Sequence, residues 1–144
     1  MVMVATLVAA SGVAVAVTKI GTSGPDTLRG TKRADNLLGK GGNDVLLGLA
    51  GRDYIHGGPG ADQVVGKGGD DVLNGGSGRD FLYGYSGADV MHGGDGNDVL
   101  LALGGERPTR DWLFCGKGQD EYGADSIDIV SNSCEVDAGW IIVD

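Results

Sequence analysis

Gly57-Gly58-Pro59-Gly60-Ala61-Asp62-Gln63-Val64-Val65, followed at once by Gly66-Lys67-Gly68-Gly69-Asp70-Asp71-Val72-Leu73-Asn74, is one nine-residue pattern written twice. Reading outward in both directions, the frame holds. Glycine stands at 21, 30, 39, 48, 57, 66, 75, 84 and 93. Aspartate follows five places later each time, at Asp26, Asp35, Asp44, Asp53, Asp62, Asp71, Asp80, Asp89 and Asp98. Two places on comes an apolar residue: Leu28, Leu37, Leu46, Ile55, Val64, Leu73, Leu82, Met91 and Leu100. The fourth position is glycine in every copy but one, where Arg33 replaces it. A fixed period of this kind is the mark of a repeat architecture.

One unit explains its own chemistry. Its first six residues are turn formers, because glycine allows positive φ and lets the backbone approach a neighbour closely. Its last three, such as Gln63-Val64-Val65, predict a short strand whose middle side chain points one way. Alone, such a unit buries almost nothing. Stacked on copies of itself, it builds a hydrogen-bonded ladder around an aliphatic spine.

The pattern Gly-Gly-x-Gly-x-Asp-x-aliphatic-x resembles the RTX (hemolysin-type) calcium-binding repeat. Two copies carry it most fully: Gly75-Gly76-Ser77-Gly78-Arg79-Asp80-Phe81-Leu82-Tyr83 and Gly93-Gly94-Asp95-Gly96-Asn97-Asp98-Val99-Leu100-Leu101. The resemblance implies an all-β fold, a right-handed parallel β-roll (a β-solenoid) in which two nonapeptides make one turn. It also implies Ca²⁺ between loops on successive turns, held by the aspartates named above and by loop backbone. The fourth-position glycines Gly42, Gly51, Gly60, Gly69, Gly78, Gly87 and Gly96 would supply carbonyls there. Residues 18 apart then stack, pairing Asp26/Asp44, Asp44/Asp62, Asp62/Asp80 and Asp80/Asp98 on one edge, and Asp35/Asp53, Asp53/Asp71 and Asp71/Asp89 on the other. These pairs imply about seven ions, each wanting roughly 6–8 oxygen ligands. Binding and folding would be one event, since unpaired aspartate columns repel. The pattern is weakest at Asp26 and Asp35, whose repeats lack the second glycine.

The remaining sequence divides around this body. The run from Val2 to Val17 carries no charge and resembles the apolar part of a secretory signal, with Ala14-Val15-Ala16 as a candidate cleavage site. No Lys or Arg precedes it, so a start further upstream or a retained structural segment is the alternative to a signal at residues 1–16. The repeat body spans 17–101. Residues 102–144 read as degenerate repeats and a C-terminal cap. An insertion covers Ala102 to Arg110, and Asp111 and Asp120 again stand nine apart. Asp128-Ile129-Val130 may be read as a further worn copy. Trp112, Phe114, Tyr122 and Trp140 supply the bulk a solenoid end needs. Cys115 and Cys134, 19 apart, fall about one turn from each other and are expected to form a disulfide that links the cap; two buried thiols are the alternative.

Composition narrows the function. The formal net charge of −9 argues against nucleic acid and suits small cations. His56 and His92 are the only histidines and lie 36 apart, which reads as surface positions on a strand rather than a catalytic pair. There is no His-Glu-x-x-His, Gly-x-Ser-x-Gly, Walker A or EF-hand sequence. Gly39-Lys40-Gly41-Gly42 and Gly66-Lys67-Gly68-Gly69 lack the Lys-Ser/Thr ending of a phosphate loop. No enzyme substrate is evident. The expectation is a secreted, extracellular calcium-binding protein. A calcium-dependent self-assembling structural protein, associating through roll ends or the N-terminal segment, is the second reading.

Overall fold

A computed structural model describes residues 3–5, 16–104 and 108–134. Among these there is no helix; fourteen strands form two sheets. In chain order they are β1 (Met3–Ala5), β2 (Thr18–Ile20), β3 (Thr27–Arg29), β4 (Asn36–Leu38), β5 (Val45–Ala50), β6 (Tyr54–Pro59) and β7 (Gln63–Gly68). β8 (Val72–Ser77), β9 (Phe81–Ser86), β10 (Val90–Asp95), β11 (Val99–Leu101), β12 (Trp112–Lys117), β13 (Glu121–Gly123) and β14 (Ile129–Val130) follow. Successive strands alternate between the sheets. One runs β1-β2-β4-β6-β8-β10-β12-β14 and the other β13-β11-β9-β7-β5-β3. All pairings are parallel except that of β1 with β2. The result is a parallel β-solenoid of about six turns.

Register reproduces the two-repeat turn. Ile55 faces Leu73 and Val64 faces Leu82, 18 residues apart. Met91 faces Leu113, so the turn holding the insertion carries 22 residues. Leu113 faces Val130, a turn of 17. The ladder absorbs both irregularities without losing register at the aliphatic position.

Because alternate residues on a strand share a face, three positions of each unit point inward: the aspartate, the aliphatic two places on, and the glycine that opens the next unit. Leu28, Leu37, Leu46, Ile55, Val64, Leu73, Leu82, Met91, Leu100 and Leu113 are all fully buried. They form one continuous cluster with Ala102 and Cys115.

Strands β5 to β10 and β12 are longer than the three residues the sequence predicts. Each continues through the opening of the next unit, for six residues. The cause is that the opening glycine still donates to the neighbouring turn, as Gly39 N–H does to the His56 carbonyl at 2.8 Å. Only the middle of each unit is a true turn.

The ends differ from the middle. At the C-terminal end, Cys115 on β12 is bonded to Cys134 beyond β14, with Cα atoms 4.9 Å apart. At the N-terminal end, Met3–Ala5 pairs antiparallel with Thr18–Ile20. Most of the expected signal region, including Ala14 and Val15, lies outside the described residues, as does Trp140.

Candidate metal centre

The aspartate columns are the most unusual feature of the interior. Asp35, Asp44, Asp53, Asp62, Asp71, Asp80, Asp89 and Asp98 are all 4% exposed or less. Buried carboxylates normally carry a cationic partner. The one salt bridge among the described residues, Lys117 to Asp95, is on the surface.

The two oxygens of each carboxylate have different surroundings. Oδ1 accepts the backbone N–H of the aspartate one turn earlier. Asp26 N–H donates to Asp44, Asp35 to Asp53, Asp44 to Asp62, Asp53 to Asp71, Asp62 to Asp80, Asp71 to Asp89 and Asp80 to Asp98, at 2.7–2.9 Å. These bonds stitch turn to turn along both edges. The expected 18-residue stacking of aspartates is therefore present.

Oδ2 is different. In Asp44, Asp53, Asp62, Asp71, Asp80, Asp89 and Asp98 it is buried and accepts no hydrogen bond. It lies over the opening glycine of its own unit. A Cβ on Gly57 would collide with Asp62 Oδ2 and come within 2.6 Å of the Gly75 carbonyl oxygen. The opening glycine thus leaves space for a carboxylate oxygen and a carbonyl oxygen from the next turn. Two acceptors meet there with no donor between them.

Burial is the main force on these acids. It pushes Asp53, Asp89 and Asp98 up to about 6, and Asp71 and Asp80 up to about 7. The N–H bond to each lowers it, and the neighbouring aspartates in the column raise it further. Asp44 and Asp62 are raised by burial too.

The first two units are built otherwise. Thr22 and Thr31 hold the second position there. Their hydroxyls donate to Asp26 Oδ2 at 2.8 Å and to Asp35 Oδ2 at 2.9 Å, and their backbone N–H groups donate to the same oxygens. These bonds hold the Asp26 carboxyl below its usual range.

The loop backbone divides at the same place. From the third unit on, positions two and four both take positive φ: Lys40 and Gly42, Leu49 and Gly51, Gly58 and Gly60, and so on to Gly116 and Gly118. Thr22, Gly24, Thr31 and Arg33 do not. Arg33 is tolerated for that reason, because its loop does not use the left-handed conformation that favours glycine. The fourth-position glycines named from the sequence, Gly42 to Gly96, all sit in the repeated loop form.

Three aspartates left out of the expected site join the ladder. Asp111 Oδ1 accepts Asp89 N–H at 2.7 Å, Asp120 accepts Asp98 N–H at 2.9 Å, and Asp128 accepts Asp111 N–H at 2.9 Å. Asp120 Oδ2 is again buried and unpartnered. Burial pushes Asp111 up to about 7. Their signal was in the sequence, as Asp-x-aliphatic beyond the insertion, but the 22-residue turn hid their place in the columns.

The donor set suits a hard cation. It consists of anionic carboxylate and neutral carbonyl oxygens, the ligands Ca²⁺ takes. Both cysteines are in the disulfide. His92 stacks on Phe114 at 4.8 Å instead of facing His56. Among the described residues no three His, Cys, Asp or Glu side chains converge, so any site here needs backbone oxygens for most of its ligands. The model of a family described as the RTX calcium-binding nonapeptide repeat matches the chain in four copies, over residues 20–53, 29–64, 38–73 and 65–100. Together these cover residues 20–100, more than half of the chain. No curated protein matches it.

Proposed function

The chain belongs to the RTX calcium-binding nonapeptide repeat family, and from that premise we propose that it is a secreted protein whose roll folds as it binds calcium. The observation that carries this reading is the row of buried, unpartnered Oδ2 atoms. An unpaired buried charge is costly, and an ion between turns would remove that cost while drawing on glycine carbonyls. Asp44, Asp62, Asp80 and Asp98 would hold ions on one edge, and Asp53, Asp71 and Asp89 on the other. Extending both columns to Asp120 and Asp111 adds the pairs Asp98/Asp120 and Asp89/Asp111. With Asp26/Asp44 and Asp35/Asp53 set aside, the tally is still about seven ions.

Calcium's role here is structural. It would offset repulsion within each column and fix the glycine-rich loops, whose backbone entropy opposes folding. The disulfide supports export, since such bonds persist in oxidising compartments. Extracellular modules with Kd on the order of 10⁻⁴–10⁻³ M respond to the calcium found there. The function is binding, with no catalytic step.

The test is far-UV circular dichroism of the full chain during a Ca²⁺ titration, with Mg²⁺ as control. A disordered spectrum that becomes β-rich with Ca²⁺ alone is expected. A β-rich spectrum indifferent to chelator would overturn coupled folding and leave the aliphatic spine and disulfide as sufficient.

A further inference from the structure

Two observations separate the first two loops from the rest, and they are independent of each other. One is the hydrogen bonding: Asp26 and Asp35 each receive a threonine hydroxyl and a backbone N–H at Oδ2, whereas Oδ2 is orphaned in every unit from Asp44 to Asp98. The other is the backbone, which takes positive φ at positions two and four from Lys40 onward and at neither position before it.

We propose that Thr22 and Thr31 stand in for calcium: they close Asp26 and Asp35 internally, so that the first two loops take no ion and the ion-bearing columns begin at Asp44 and Asp53. This inference rests on the calcium reading above and refines it, by naming the residues that end the metal sites.

The physical case is one of donor supply. A carboxylate oxygen taken out of water needs compensation from a cation or from hydrogen-bond donors. A threonine in ordinary backbone conformation brings two donors from one residue, its hydroxyl and its N–H. The residues with positive φ at that position, such as Lys40 or Gly58, direct neither toward the aspartate. With Oδ1 also accepting Val17 N–H at 2.9 Å, the Asp35 carboxylate has a partner on both oxygens. An ion there would have to displace donors already in place.

The arrangement also gives the roll a terminus of a particular kind. A terminal loop has a neighbour on only one side, so an ion bound there would lack ligands from a second turn. Replacing it with threonine donors satisfies the carboxylate using residues of the same loop. The C-terminal end has a different device, the Cys115–Cys134 bond.

Counting bound ions tests the proposal, by native mass spectrometry of the full chain in calcium. The double variant Asp26→Asn/Asp35→Asn is expected to keep the wild-type ion count, while Asp62→Asn loses at least one ion. The triple variant Thr22→Gly/Thr31→Gly/Arg33→Gly restores the loop sequence of the later units and is expected to gain two ions. Loss of ions in Asp26→Asn/Asp35→Asn, or no gain in the triple variant, would overturn the inference and leave the calcium reading intact. A wild-type chain that binds no calcium would overturn the calcium reading itself. A second readout does not depend on metal count. Thr22→Val/Thr31→Val keeps side-chain shape but removes the hydroxyls, and is expected to lower the thermal midpoint of the calcium-saturated protein by several degrees. An unchanged midpoint would show that the hydroxyls satisfy nothing.

Discussion

At the residue scale, two loop positions with the same left-handed backbone make opposite demands. Gly78 has φ +124, and a Cβ there would lie 2.7 Å from the Gly60 carbonyl carbon. Gly78→Ala therefore meets both backbone strain and a collision with the turn beneath it. The expected loss is about 2 kcal/mol or more. Lys67 has φ +82 and an exposed side chain. A non-glycine residue in that region costs roughly 1–2 kcal/mol. Removing it loses little contact, although glycine gives back part of the gain through a more flexible unfolded chain. Lys67→Gly is expected to stabilise by up to about 1 kcal/mol. Thermal melts of both variants in saturating calcium check the pair; similar effects of the same sign would mean that loop φ does not govern stability here.

At the element scale, the structure shows why most of the fold was legible. The inward row of each strand contains an aspartate, an aliphatic residue and a glycine in fixed order, so periodicity alone located β3 to β11 and the spine from Leu28 to Leu100. Strand length was not legible, because nothing in a glycine says that its N–H will still join the ladder. Asp111 and Asp120 escaped the expected site because a loop of variable length separates them from the frame, while pairing tolerates 22 residues as readily as 18. The threonine closure was visible only as a missing glycine; its meaning required the hydrogen bonds. The disulfide was foreseen from its spacing, and its consequence belongs to β12 and β14. β14 is two residues long and pairs with β12 alone. The Cys115–Cys134 bond holds that pairing by closing a short loop, which in the chain-entropy account is worth about 3 kcal/mol. Reduction, or Cys115→Ser with Cys134→Ser, is expected to raise the hydrogen-exchange rates of β14 and of its Ser131–Leu113 bond first, before those of β6 to β9. Uniform change along the roll would instead place the disulfide among its global supports.

At the scale of the whole molecule, the two aspartate columns make stability depend on pH in a direction set by burial. Asp53, Asp71, Asp80, Asp89, Asp98 and Asp111 stand at about 6 to 7 in the folded chain, against an ordinary value of 3.8. The metal-free folded state therefore binds protons more tightly than the unfolded state. Its stability is fullest below pH 3.8 as far as these groups are concerned, and falls as pH rises through 6 to 7. Acid has the reverse effect on the calcium-bound form, because the ion requires deprotonated carboxylates and its binding releases protons. Thermal midpoints measured in chelator should thus rise between pH 7.5 and pH 5, those measured in calcium should fall, and the two curves should converge toward the acid end. The chain's net charge of −9 works in the same direction for the metal-free form, since protonation also relieves repulsion across the molecule. Salt separates the two contributions: it screens surface repulsion while leaving buried columns largely unscreened. A pH response of the metal-free form that disappears in 1 M salt would assign the effect to the surface, and one that persists would assign it to the buried aspartates.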